Sequence, residues 1–396
     1  MAVDLFERCR RFDKPKQAEA AGCYPYFIPI QSQTGPDVII DGRRMIMLGS
    51  NNYLGLTQHP KVIEAAVRAV EKYGSGCTGS RLMNGTLDLH LELESRLAHF
   101  AKKEAALVFT TGYQVNLGCI SALVGRHDTV VIDKADHASI VDGCMLSHAR
   151  VARFKHNDMA DLERILSSLD PQHGILLVVD GVFSMEGDLA NLPKIAELKK
   201  RYGARLLVDE AHSVGVFGEG GRGTAEYFGL IDDVDLIVGT FSKSFASTGG
   251  YVAGDADVIY YIRHLARPLL FTAAIPPASA AAALAALDVI ETEPERRARL
   301  WENSNKMKRW YDELGFCTGG TQSPIIPLVI GEEMRLAQFW RRLFDLGVFT
   351  NAAVAPAVEP DRALIRTSYM ATHTDSHLTA AIEIVGQAGR ELGLIS

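Results

Sequence analysis

The feature that most constrains this chain is a series of short runs that are apolar at consecutive positions, each separated from the next by a stretch with helical periodicity. The runs are Ala105 to Phe109, Thr129 to Ile132, Val151 to Phe154, Ile175 to Val179, Leu206 to Val208, Leu236 to Val238 and Tyr251 to Ala253. A strand that is apolar on both faces belongs inside a mostly parallel sheet covered by helices on each side, whereas antiparallel strands commonly alternate because one face stays wet. The fold class expected is α/β, with a large, mostly parallel, doubly wound sheet that binds ligands at the carboxyl ends of its strands. Chemistry is therefore sought in the polar or glycine-rich words that follow the runs.

The 396 residues exceed the roughly 250–300 at which a single core stops growing, so a second lobe is expected. Val38 to Leu48 reads as two strands joined at Asp41-Gly42, a pair that supplies the positive φ angles of a type I′ hairpin. Helical periodicity marks Lys61 to Tyr73 and His90 to Ala101. An alanine-rich helix from about Ser279 to Ile290 precedes Glu293-Pro294-Glu295, which opens a long amphipathic helix to about Leu314. Strands at Ile325 to Ile330 and Ala363 to Ser368 alternate with a helix at Met334 to Leu346. The division expected is an N-terminal arm with a small hairpin (1–58), the α/β domain (59–290) and a smaller C-terminal α+β domain (291–396).

The net charge of −7 arises from 48 acids and 41 bases interspersed along the chain, which leaves no basic stripe for nucleic-acid phosphates. Cys9, Cys23, Cys77, Cys119, Cys144 and Cys317 are widely spaced with no C-x-x-C pair, and they read as buried free thiols rather than as a metal site or a disulfide framework. Charges at Asp4, Glu7, Arg8, Arg10 and Arg11 interrupt the apolar core a signal peptide needs, and no apolar run of about 18 residues follows. A cytoplasmic protein is expected. Val3, Leu5, Phe6 and Phe12 among basic residues leave open a peripheral contact with the inner membrane, although a short helix packing on its own protein is the commoner arrangement.

Thr240-Phe241-Ser242-Lys243-Ser244 directly follows the run Leu236 to Val238. A lysine at a strand end is partly desolvated, which lowers its pKa and fits it to form an imine with an aldehyde, while the Thr240 and Ser242 hydroxyls suit a phosphate beside it. Alone, this word is more often a surface loop than a site. Asp209 and His212 end the run Leu206 to Val208; an aspartate there pairs with a protonated pyridine nitrogen and the histidine reaches a phenolic oxygen, although Asp-x-x-His is also a metal half-site or a helix cap. Gly112, opening a helix after Ala105 to Phe109, offers free N–H groups to a phosphate. Asp136-His137-Ala138-Ser139 provides either an imidazole to stack on a flat ring or a helix cap. The four words converge on a flat, phosphorylated aldehyde, pyridoxal 5′-phosphate, carried on Lys243 as a Schiff base. No metal is called for.

At these residues the chain resembles, over nearly its full length, the α-oxoamine synthases of the fold-type I pyridoxal-phosphate transferases, which join an amino acid to an acyl-CoA with loss of carbon dioxide. Members acting on glycine or alanine with short or dicarboxylic acyl chains usually read Gly-Thr-Leu-Gly-Lys-Ala around the lysine. Gly239-Thr240-Phe241-Ser242-Lys243-Ser244 instead resembles the bacterial members acting on L-serine and a long-chain acyl-CoA. So do Tyr26 to Ser32, Gly74 to Arg81, Asn84-Gly85-Thr86, Asp180 to Asp188 and Met370 to Thr374.

The resemblance implies that palmitoyl-CoA and L-serine give 3-ketodihydrosphingosine, the first step of sphingolipid synthesis, with Lys243 and His137 catalytic. It places Gly112, Tyr113, His137, Ser184, Asp209, His212, Thr240, Ser242 and Lys243 on the cofactor, Thr272 on the phosphate held by the neighbouring subunit of a homodimer, and Asn52, His137 and Arg366 on the substrate. The planar fork of Arg366 suits the amino-acid carboxylate. The chain lacks the arginine that some bacterial members carry shortly before the word here read Val354-Ala355-Pro356-Ala357. Related readings are the same chemistry on glycine, alanine, cysteate or another acyl-CoA, a non-catalytic partner subunit, and an aminotransferase.

Overall fold

A computed structural model describes residues 4–396, so Val3 of the N-terminal run lies outside it. Seven strands form the central sheet: β3 (Ala105–Phe109), β4 (Thr129–Asp133), β5 (Arg150–Phe154), β6 (Ile175–Asp180), β7 (Arg205–Asp209), β8 (Leu236–Thr240) and β9 (Gly250–Gly254). Their order is β3-β9-β8-β7-β6-β4-β5. The pairs β5/β4, β4/β6, β6/β7 and β7/β8 are parallel, while β9 runs antiparallel to both β8 and β3. Period two is visible in the packing: Leu107, Phe109, Val130, Ile132, Val178 and Leu207 enter one apolar cluster, and Ala106, Val108, Val131, Val179, Leu206 and Val208 enter the other. Burial on both faces is what the consecutive apolar runs encode.

Outside this sheet, β1 (Asp37–Ile40) and β2 (Arg43–Met47) form the hairpin, with Asp41 at φ 50° and Gly42 at φ 71° in its turn. β10 (Ile325–Gly331), β12 (Asn351–Ala353) and β13 (Ala363–Ser368) form a second, antiparallel sheet with β13 in the middle. The short β11 (Val348–Phe349) leaves this region to pair in parallel with β2. Ser368 N–H donates to Leu48 O and Ala371 N–H to Tyr53 O, so the C-terminal part fixes the segment carrying Asn51, Asn52 and Tyr53.

Two expectations are corrected. Helices Glu7–Arg10 and Lys14–Ala20 bury no residue, and Leu5, Phe6 and Phe12 are exposed, so the N-terminal segment does not pack its apolar side chains on its own body. Only Cys119 and Cys144 are buried; Cys9 and Cys317 are exposed, because they fall on a surface helix and a surface loop instead of facing a core. Among the described residues no helix is long and apolar enough to cross a membrane.

Candidate active site

Parallel strands end side by side, and the residues at or just beyond the ends of β6, β7 and β8 face one cavity of about 330 Å³. Its wall holds Gly112, Tyr113, His137, Ser184, Asp209, His212, Thr240, Ser242 and Lys243, brought together from five separate stretches of chain. Lys243 stands on the tight connection between β8 and β9. Phe241 is buried against Tyr251, and the bonds Phe241 N–H to Gly249 O (2.9 Å) and Ser247 N–H to Phe241 O (2.8 Å) close the loop. Lys243 is partly buried and lines the cavity, and the protein around the amine excludes enough water to push its pKa down to about 8; Asp209 and Asp180 oppose this shift and Arg366 reinforces it.

Asp209 is 6% exposed and held by two donors: Asn116 Nδ2 reaches Oδ2 at 2.7 Å and the Ala211 N–H reaches Oδ1 at 2.9 Å. His212 lies 2.7 Å through Nδ1 from the Tyr53 hydroxyl, and burial, with Lys243 next in effect, drives its pKa well below the usual value, so the ring is neutral. His137 caps the helix Ala138–Ser147 through Nδ1, which accepts from Ser139 N–H at 3.3 Å, and also lines the cavity; cap and site wall are the same residue. Its own N–H donates to Asp180 Oδ2 at 2.8 Å. Burial, and then the charge of Asp209, pushes the Asp180 carboxyl well above the usual range.

The residues fit a phosphorylated pyridine aldehyde. A Cβ built on Gly112 would stand 2.5 Å from Thr240 Oγ1, so only glycine lets the start of helix Gly112–Leu123 come this close to the strand end. Thr240 Oγ1 and Ser242 Oγ are 2.9 Å apart beside it, which gathers hydroxyls and helix N–H groups at one end of the cavity and Asp209 at another place in its wall. A volume of about 330 Å³ is ample for a small cofactor ring.

Three expected residues stand outside this wall. Arg366 is 5% exposed behind Ser184, donating from Nε to Ser184 O at 2.6 Å and from an Nη to Asn51 Oδ1 at 2.9 Å. Asn52 lines an adjoining cavity of about 680 Å³ that shares Ser242 and Lys243 with the first, and its buried Oδ1 has no partner. Thr272 accepts from Gln114 Nε2 at 3.3 Å near the exposed Phe271. Sequence reasoning missed Asn116, Tyr53 and Asp180. Asn116 lies one turn into the helix that Gly112 opens, so a polar residue on its inward face was the available signal; Asp180 directly follows the apolar run Ile175 to Val179, the same strand-end signal that marks Asp209, and Tyr53 carried none.

Known proteins resemble this chain over most of its length. Residues 43–385 match the aminotransferase class I and II family. The chain is 51% identical over 379 residues to a serine palmitoyltransferase from Sphingobacterium spiritivorum, covering 96% of this chain and 95% of the relative. An 8-amino-7-oxononanoate synthase from Thermoanaerobacter pseudethanolicus is 42% identical, covering 97% of each. A serine palmitoyltransferase from S. paucimobilis, solved with bound PLP and myriocin, superposes with a TM-score of 0.97 at 37% identity over 99% of this chain and 100% of the other. The chain belongs to the aminotransferase class I and II family and, within it, to the α-oxoamine synthases, which are pyridoxal-phosphate-dependent acyltransferases.

Proposed function

We propose that this chain condenses L-serine with palmitoyl-CoA to give 3-ketodihydrosphingosine, coenzyme A and carbon dioxide. The observation that carries the reading is Arg366: a buried guanidinium, close enough to Lys243 to affect its charge, held by two uncharged oxygens and paired with no carboxylate among the described residues. Burying a cation without a counter-ion is costly, and a substrate carboxylate beside it removes that cost. The word Gly239 to Ser244 and the likeness to serine palmitoyltransferases favour serine over other amino acids.

Pyridoxal phosphate, when bound, supplies a protonated ring that takes up the electron pair released at the substrate α-carbon. Asp209 holds the ring-nitrogen proton, and its two donors fix the carboxylate for that task. His212, neutral and oriented by Tyr53, serves the phenolic oxygen. Gly112, Tyr113, Thr240, Ser242 and Ser184 retain the cofactor, with Thr272 of a second copy closing the phosphate end. The Lys243 amine, with its pKa pushed down to about 8, would be about half free base near pH 8 and so able to accept the serine α-proton. Arg366, Asn52 and His137 would hold and orient the substrate carboxylate. The thioester carbon accepts the new C–C bond, coenzyme A leaves as the thiol, and a proton returns to the carbon that lost carbon dioxide.

A panel of serine, glycine, alanine and cysteate against acyl-CoAs of several lengths, with products identified by mass, tests the assignment. A C18 amino-ketone from serine and palmitoyl-CoA as the preferred product is expected. A ketone from glycine or cysteate alone overturns the serine assignment and leaves the condensing chemistry standing.

A further inference from the structure

Beyond the cavity wall, a second set of polar groups links β4, the turn after β5 and the loop that follows β6. The His156 ring spans two carboxylates, with Nδ1 2.9 Å from Asp133 Oδ1 and Nε2 3.0 Å from Asp188 Oδ2. The edge of the same ring meets buried Phe183, with centroids 4.5 Å apart and planes at 87°. Asn157 repeats the link: its N–H donates to Asp133 Oδ2 at 2.8 Å, and its Nδ2 donates to Asp188 Oδ2 and Leu189 O, each at 2.9 Å. The loop thus gripped runs from Gly181 to Leu189, closed by the bridge Val182–Leu189 and by Phe183 N–H to Asp188 O. At its tip Ser184 lines the cofactor cavity and offers its carbonyl to Arg366 Nε at 2.6 Å. The guanidinium also donates to Asn51 Oδ1, on a different segment.

We propose that His156 is a positioning residue for amino-acid recognition: by bridging Asp133 and Asp188 it holds the 181–189 loop so that the Ser184 carbonyl aims Arg366 at the substrate carboxylate. The proposal rests on the reading of Arg366 as the carboxylate receptor. His156 itself touches neither cavity. Its effect is expected on the amino acid, because the loop it holds contributes Ser184 to the smaller cavity and no residue to the wall of the larger one. Ångström-scale misplacement of a binding group costs roughly one to two orders of magnitude, which sets the size expected.

The test uses the cofactor-loaded enzyme and the variants His156→Ala, His156→Gln and Asp188→Asn, the last two being milder changes in case the first does not fold. Steady-state kinetics should show the KM for serine raised roughly tenfold or more, with the KM for palmitoyl-CoA unchanged and kcat altered much less. Serine binding, followed by the cofactor's visible absorption, should weaken by the same factor. Ethanolamine, which is serine without its carboxylate, should bind the variants as it binds the parent. Combining His156→Ala with Arg366→Ala should cost no more than Arg366→Ala alone, since the two act on one interaction. Equal weakening of serine and ethanolamine, or additive effects in the double variant, overturns the proposal. If Arg366→Ala leaves serine binding unchanged, the reading of Arg366 fails, and this is distinct from Arg366→Ala weakening binding while the His156 variants do not.

Discussion

Lys243 offers the sharpest single-residue change. Lys243→Ala should remove the covalently attached cofactor's absorption band and lower turnover by at least about 10²- to 10⁴-fold, the range for losing a positioned acid–base group. The amine attaches an aldehyde only as a free base, so for the cofactor-free protein the rate of attachment should rise with pH and level off above about 8. A rate that keeps climbing to pH 10 in stopped-flow absorbance would mean that the lysine keeps an ordinary pKa. Gly112→Ala should weaken cofactor binding, because the added methyl meets Thr240 Oγ1 at 2.5 Å and Thr240 Cβ at 2.7 Å beside the cavity; equilibrium dialysis checks it. At this scale the words around Lys243, Asp209, His212, His137 and Gly112 were legible because each follows an apolar run and so must fall at a strand end. Their supports were not. Asn116 reaches Asp209 across 93 positions and Tyr53 reaches His212 across 159, and no local pattern encodes which distant polar group meets which.

Among the elements, the clasp of β4 to the loop after β6 carries its own pH signature. Burial works against a charged His156, but the bonds to Asp133 and Asp188 outweigh it and push the pKa up to about 10. A histidine whose pKa rises on folding contributes its full stabilisation below the unfolded value near 6.5 and loses it as pH climbs through about 10. The gap in thermal stability between the parent and His156→Ala should therefore be widest near pH 6 and narrow steadily toward pH 10; a constant gap in calorimetry over that window would show that the ring is not charged. Strand positions were readable from consecutive apolar residues, and the hairpin from Asp41-Gly42. Strand direction was not: β9 is as apolar as its neighbours yet runs antiparallel, since burial on both faces reports coverage and carries no sign of direction. Nor did any pattern announce that Val348–Phe349 joins the N-terminal hairpin, a pairing of two residues too short to leave a period.

At the scale of the whole molecule, an apolar ledge lies bare beside the cavity's phosphate end. Ser80 and Ala273 form a β-bridge and Ala274 N–H donates to Gly79 O, so the loop around Leu82 and Met83 lies beside Phe271 and Thr272. Leu82, Met83 and Phe271 are 56%, 78% and 75% exposed, and large exposed apolar side chains gathered around a rigid contact mark an interaction surface. His137 and Tyr113 are also exposed at the cavity mouth, and Thr272 is not part of the wall of its own chain's cavity. A second copy laid over the ledge would cover the apolar side chains and bring its Thr272 to the phosphate end, so the expected functional unit is a homodimer with two shared sites. The double variant Met83→Asp and Phe271→Asp places two charges in that contact, where an unpaired buried charge costs several kcal/mol. It should sediment as a monomer, keep its far-ultraviolet circular dichroism, and lose both tight cofactor retention and turnover. A monomer that retains full activity would show that each chain owns a complete site, and a variant that remains dimeric would place the interface elsewhere on the surface.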